Sequence, residues 1–392
     1  MTKDAKHVSH LDKRIILFFV LAFSAGGVIQ PFLNLYLIEV GLSGTQIGIL
    51  HGWAALVTIV VTPLIGFLAD RTQQHRTLLA VVAFAKGIAA PLMLVSGAWV
   101  WLIGVVSLRV ISAGAHDALL NRLTLAHLQE TLQNNLGAIR FWGALSYAVM
   151  ALLAGWLARD QSVAVVFPLA GALAIAPVFL VGAFPARLAP ARATASAVKR
   201  VVRPHAPSVW LFAIIFLYAC SQSGIETFSN IFLSKDLRAG NDLIGLLSGV
   251  AHLAPLPAYF LADRLVRRLG AARTMAASFG LFALAWFGYA IIAHALLALP
   301  LAILNGGGMA LYIVSMVVLF GELGLPERAA MEQMLAQLTV PGLARIIAQP
   351  LSGWIFQVLG ARTLFALDAG IILAAMLGLL GWHTRNKVTQ VD

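Results

Sequence analysis

The stretch "RVISAGAHDALLNR", Arg109 to Arg122, sets two guanidiniums, an imidazole, a carboxylate and an amide inside an otherwise apolar run. On a helix, Arg109 and His116 are seven apart and share a face, while Asp117 is turned about 80° from Arg109 and stacks toward Asn121. Groups of this kind bind protons or recognise a charged solute. A second stripe, Gln222, Glu226 and Asn230, recurs every four residues with Glu226 as its only ionisable member. A lone carboxylate with amide neighbours suits a proton carrier, because desolvation favours the uncharged acid. The alternative is a permanent ion pair with Arg345, which stands among Gln337, Pro341 and Gln349. Other chemistries are poorly served. Gly41-Leu42-Ser43-Gly44 satisfies G-x-S-G with His51 eight residues on, but Ser43 falls in a loop, where it or Thr45 caps a helix. Cys220 is the single cysteine and no Cys/His cluster has metal-ligand spacing. No G-x-x-x-x-G-K-[ST] motif is present, so no cofactor or nucleotide is expected and a gradient must supply any energy.

The elements that hold these residues are membrane spans. Hydrophobic residues make up 60% of the 392 and charged ones 11%, with a mean hydropathy of +0.89, which excludes an ordinary soluble domain. Runs of roughly 20 apolar residues are read at 14–39, 46–69, 76–97, 99–122, 136–158, 162–184, 208–233, 242–264, 272–294, 296–321, 330–357 and 363–383. The net charge of +11 does not point to nucleic acid. With the N-terminus inside, nineteen of the 27 Lys and Arg residues fall in internal segments and four, Arg159, Lys235, Arg238 and Arg362, in external loops. That asymmetry puts both termini in the cytoplasm. The remaining four, Lys86, Arg109, Arg140 and Arg345, lie within spans. Each costs on the order of 2.5–3.5 kcal/mol at mid-bilayer even on the lenient insertion scale, so each calls for a partner.

The chain is also a repeat. "FLADR" occurs at Phe67–Arg71 and again at Phe260–Arg264. Sliding the second half onto the first by about 196 residues sets Gln30, Phe32 and Asn34 on Glu226, Phe228 and Asn230, Gly48 and Gly52 on Gly245 and Gly249, and Gly155-Trp156 on Gly353-Trp354. This correspondence argues against cleavage of the first span as a signal peptide. An N-terminal six-helix bundle (1–184), a cytoplasmic linker (185–207) and a C-terminal six-helix bundle (208–392) follow, an all-α membrane protein with the substrate site expected at the interface of the halves. By depth, Asp117 and Arg140 are expected to meet. Tyr147, Asn305 and Tyr312 join Gln30 and Asn34 as candidate cavity residues, Lys86 has no partner legible in the sequence, and Asp368 reads as structural.

These features resemble the major facilitator superfamily over nearly the whole chain. The family's G-x-L-A-D-R-x-G-x-x-R loop is matched by Gly66, Leu68, Ala69, Asp70, Arg71 and Arg76, with Gln73 at the second glycine; the second copy keeps Asp263, Arg264 and Arg273 but has Tyr259 at the first glycine. The repeated Asp-Arg reads as a conformational latch. Arg109 with Ala113-Gly114-Ala115 resembles a fourth-helix motif associated with proton transfer. "RFWGALSY" at Arg140 is similar to the fifth helix of the phenylpropionate, nucleoside and lactose permease branch, and "DAL" at Asp117 to its phenylpropionate subgroup. The resemblance implies a twelve-helix, non-enzymatic secondary transporter of the bacterial inner membrane. It is expected to work as a monomer among membrane lipids, moving a small organic solute (aromatic carboxylate, nucleoside or sugar-like) with protons by alternating access. Proton coupling would fall to Glu226, Asp117 and Arg109. Substrate binding would fall to Gln30, Asn34, Arg140, Tyr147, Gln222, Asn230, Asn305, Tyr312 and Arg345. The fifth span lacks the Gly-Pro pair usual in antiporters, which favours symport. A proton-coupled efflux antiporter for drugs or metabolites, or a non-transporting sensor or lipid-flipping protein on the same fold, is the alternative.

Overall fold

Proline decides where several spans bend. In the computed structural model of the chain, which describes residues 3–130, 136–184, 206–323 and 331–388, α1 (Lys3–Ile29) stops two residues before Pro31 and α2 (Leu33–Glu39) restarts two after it. The ring removes an N–H and crowds the preceding turn, so one straight helix cannot run through. The eighth span breaks likewise: α9 (Asn241–Leu253) gives way to α10 (Pro255–Leu269), whose first residue is proline. The eleventh carries a π-helical stretch, Leu335–Thr339, directly before α13 (Val340–Leu359). Pro341 cannot donate to the carbonyl of Gln337, and the looser stretch accommodates that lost bond.

The other elements are single runs: α3 (Gly44–Thr72), α4 (His75–Leu92), α5 (Trp99–Glu130), α6 (Leu136–Leu157), α7 (Val166–Ile175) with 3-10 turns on either side, α8 (Ala206–Lys235), α11 (Ala271–Ile291), α12 (Ala298–Leu323) and α14 (Ala361–Val388). No strand occurs among the described residues. Eleven helical segments there are long and apolar enough to cross a membrane. The eleventh expected span, where the π-helical stretch runs into α13, is the one not among them. The expected linker, apart from residues 206 and 207, lies outside the described residues.

The chain forms two compact units, one of residues 1–42, 57–192 and 240–249, the other of 43–56, 193–239 and 250–392. In the first, α1 packs on α6 and α7, and α4 on α5 and α7, around a core that includes Phe18, Phe19, Leu79, Leu123 and Phe184. In the second, α11 packs on α12 and α14, and α8 on α13 and α14. Its core is more aromatic, with Tyr218, Phe279, Phe282 and Tyr312 in one stack and Phe232, Tyr289 and Phe365 in another. Leu64, Phe67, Val81, Trp156 and Phe179 are exposed, a large apolar outer surface that suits hydrocarbon and not water.

The glycines aligned by the repeat meet in pairs. Within the second unit, a Cβ on Gly48 would overlap the Gln349 carbonyl and approach Gly353 Cα to 3.0 Å. Within the first, a Cβ on Gly245 would overlap the Ala151 carbonyl and approach Gly155 Cα to 3.2 Å. Only glycine permits backbones this close, and in lipid such close packing drives helix association.

Candidate functional site

In the first unit the polar residues converge on α5. Arg109 donates to Gln30 Oε1 in the turn after α1, and Tyr147 of α6 lies within its electrostatic reach. Tyr147 is brought there by glycine: its ring stands 3.5 Å from where a Cβ on Gly26 would sit, and its carbonyl abuts Gly27. Lower on α5, His116 is buried, stacks on Phe18 at 5.9 Å and holds Asp117 Oδ1 at 3.1 Å. Lys86 of α4 interacts electrostatically with both Asp117 and Arg109, which supplies the partner that its sequence context hid. Arg140 reaches Asn121 Oδ1 at 3.4 Å. The structure therefore brings Arg140 to α5 at the expected level, but to the amide one turn beyond Asp117. The carboxylate itself is turned to His116.

In the second unit Arg345 of α13 pairs with Glu226 of α8 at 2.8 Å, both partly exposed; Glu226 is therefore not a lone carboxylate but stands in the ion pair that was the alternative. Behind them Thr227 donates to Gln349 Oε1 at 2.9 Å, and both of these are buried. Tyr312 is buried against Tyr218, with ring centroids 4.3 Å apart, and both tyrosines feel the charge of Arg345. Asn305 accepts from the Trp286 indole at 3.0 Å. Gln222 and Asn230 lie half-buried on α8, and Asn34 half-buried on α2. A separate groove, lined by Phe212, Ala213, Phe216, Leu217, Val340 and Leu343, has no charged or polar side chain and so nothing to orient a polar solute.

The repeated Asp-Arg motif shows an asymmetry. Asp70 pairs with Arg122 of α5 and lies 3.5 Å from the buried His75; Arg76 donates to the Gly182 carbonyl at 3.2 Å. Gln73, at the family's second glycine, has φ +56° and donates through its amide to the Asp70 carbonyl at 2.7 Å. The side chain thus offsets part of the strain that glycine would avoid. In the second copy Asp263 pairs with Arg267 on its own helix, while Arg264 and Arg273 are exposed, as is Arg71 in the first. Gly66 has open space around it.

A helical bundle with paired charges inside its spans and a repeated Asp-Arg loop has known counterparts. The model of the MFS_1 like family matches residues 13–367. The chain belongs to this family, within the major facilitator superfamily. The transporter is 27% identical over 363 residues to the maltose permease of Geobacillus stearothermophilus, covering 91% of this chain and 88% of that one. It is 24% identical over 271 residues to the uncharacterized transporter YwbF of Bacillus subtilis (strain 168), covering 69% and 67%. Its fold matches the crystal structure of the nucleoside transporter NupG with a TM-score of 0.82 at 15% identity, over 95% of this chain and 99% of that one. A bacterial homologue of the iron transporter ferroportin, in its inward-facing state, gives 0.74 at 17% identity, over 95% and 98%. The transporter is accordingly a multi-pass integral membrane protein, and its relatives are transporters and not enzymes.

Sequence reasoning overlooked three contributors: His116 as the partner of Asp117, Lys86 as its cationic neighbour, and Tyr218 as the wall against Tyr312. His116 was adjacent to Asp117 all along. Helical rotation separates neighbours by about 100°, and only the χ angles of both side chains close that gap.

Proposed function

We propose that the chain is a proton-coupled symporter for a small organic solute, working by alternating access as a monomer in a bacterial inner membrane with both termini cytoplasmic. The observation that carries this reading is the Glu226–Arg345 pair at 2.8 Å. A proton taken by Glu226 frees the Arg345 guanidinium, which then presents a planar fork of donors to a carboxylate or to hydroxyl oxygens. Arg109 with Gln30, and Lys86 with Asp117 and His116, give the first unit a matching set of donors and one acid.

Lys86, Arg109, Arg140 and Arg345 outnumber Asp117, Glu226 and Asp368 even when all three acids are ionised, which favours an anionic solute such as an aromatic carboxylate. The maltose permease and the nucleoside transporter among the similar proteins keep sugars and nucleosides as candidate classes. Asp70 and Asp263, with their arginine partners, act as the latch that resets between turnovers.

The test is Glu226→Gln in proteoliposomes, after a thermal-shift screen of sugars, nucleosides and aromatic carboxylates at two pH values has found a solute. Proton-driven accumulation is expected to be lost while solute exchange persists. Uphill uptake equal to that of the unaltered protein would remove Glu226 from the coupling role.

A further inference from the structure

Glu226 is not the acid of the second unit whose surroundings are hardest to reconcile with a negative charge. Gly224 is two positions before Glu226 and so about 160° round α8, on the face turned toward α14. There Asp368 is 3% exposed, and its Oδ2 has no hydrogen-bond partner. The carboxyl occupies the space a side chain at 224 would take: a Cβ at Gly224 would overlap Asp368 Oδ2 and approach Leu364 Cδ1 to 3.0 Å. The groups around it are few. On α8, Cys220, one turn before Gly224, is its electrostatic neighbour, and the Ile225 backbone lies within hydrogen-bond reach. On α11, Tyr289 packs on Phe365, three residues from Asp368, at 6.0 Å. Glu226 of α8 and Arg345 of α13 are committed to each other. No cation pairs with Asp368 among the described residues.

An ionised carboxylate buried with an oxygen unmatched costs several kcal/mol, whereas the neutral acid carries no such charge. We propose that Asp368 is a second proton-binding site of this transporter, separate from the Glu226–Arg345 pair and occupied by a proton in the conformation seen here. Loading is the transfer of a proton from hydronium to the Asp368 carboxylate, leaving water; release returns it to water when α8 and α14 part. Asp368 lies seven residues from the start of α14, about 10 Å along its axis. With cytoplasmic termini that is the outer side, where a symporter takes up its proton. The transport role rests on the proton-coupled reading above; the bound proton rests on burial alone.

The two are tested separately with the full-length protein. Infrared spectra of the purified chain at pH 7 are expected to show a carboxylic-acid C=O band that Asp368→Asn removes; a band unchanged in this variant would overturn the proton site. Dicyclohexylcarbodiimide, which reacts with protonated carboxyls in apolar surroundings, needs no variant. An adduct mapped to Asp368 by mass spectrometry supports the site, and labelling confined to other carboxyls overturns it. If no sugar, nucleoside or aromatic carboxylate drives a pH change across proteoliposomes, symport falls and the infrared band still decides the site. If one does, Asp368→Asn is expected to lower the number of protons moved per solute; an unchanged ratio would overturn the carrier role.

Discussion

Breaking and then rebuilding the neutrality of the Glu226–Arg345 pair measures how strongly the two side chains depend on each other. At 2.8 Å, two unit charges attract by about 1.5 kcal/mol at the dielectric of water and by about 6 kcal/mol at an effective value of 20. Their side chains are 52% and 37% exposed, so solvent screening holds the net interaction near the lower bound. A coupling energy of about 1–2 kcal/mol is expected, a factor of roughly 5–30 in the folding equilibrium. The assay is a double-mutant cycle of Glu226→Gln, Arg345→Gln and the double variant, read as unfolding in mixed micelles with a denaturing detergent. Each single change strands one charge and should destabilise; the double variant should be less damaged than the sum of the singles by the coupling energy. Raising the ionic strength should shrink that difference, since exposed pairs are screened. Single effects that add to within about 0.5 kcal/mol would refute the pair as an energetic unit, and with it the idea that protonating Glu226 liberates Arg345.

Asp70→Asn removes a charge shared by Arg122 and His75; it should slow turnover without changing the ranking of solutes in a competition uptake assay, and a changed ranking would count against the latch. Gly48→Ala and Gly245→Ala each force a methyl onto a carbonyl of the facing helix. Each should therefore cost about 1–3 kcal/mol, seen as a lower melting temperature in scanning fluorimetry. Gly66→Ala meets nothing within 4 Å and exchanges a poor helix former for the best, so it should be neutral or gain up to about 1 kcal/mol; an equal loss at all three positions would show that helix flexibility, and not close approach, sets the effect.

Span positions were legible because hydrocarbon imposes length and polarity together, and Leu, Val, Ile and Phe report both. The glycine pairing was half legible: the alignment set Gly48 on Gly245 and Gly155 on Gly353, but alignment names equivalent residues and not partners. The structure joins Gly48 to Gly353 and Gly155 to Gly245, which a duplicated sequence permits without specifying. Helix breaks were hidden for another reason. Pro31, Pro255 and Pro341 all interrupt apolar runs, yet the results differ: a turn, a new helix and a π-helical stretch. Which of these a proline produces depends on what neighbouring helices do with the freed carbonyl. The expected pairing of Asp117 with Arg140 shows the limit for side chains. Rise per residue fixes depth, and depth placed Arg140 beside α5, but the choice between Asp117 and Asn121 depends on rotamers. His116, buried behind Phe18, takes the carboxylate first.

The same logic separates Asp117, Glu226 and Asp368. Asp117 is matched by an imidazole and neighboured by an ammonium, Glu226 is matched by a guanidinium, and Asp368 faces a glycine. An acid matched by a cation can stay ionised until a proton or a solute parts the pair; a buried acid with an unmatched oxygen and no cation beside it favours the neutral form. The proposed proton symport would use acids of both kinds. Glu226 lies on one face of α8 and Gly224, which abuts Asp368 of α14, on the other; in the proposed scheme a movement of α8 that separates Glu226 from Arg345 also changes the space beside Asp368. In that scheme coupling between solute and proton requires no direct contact between them, only a shift of α8 that carries both faces together.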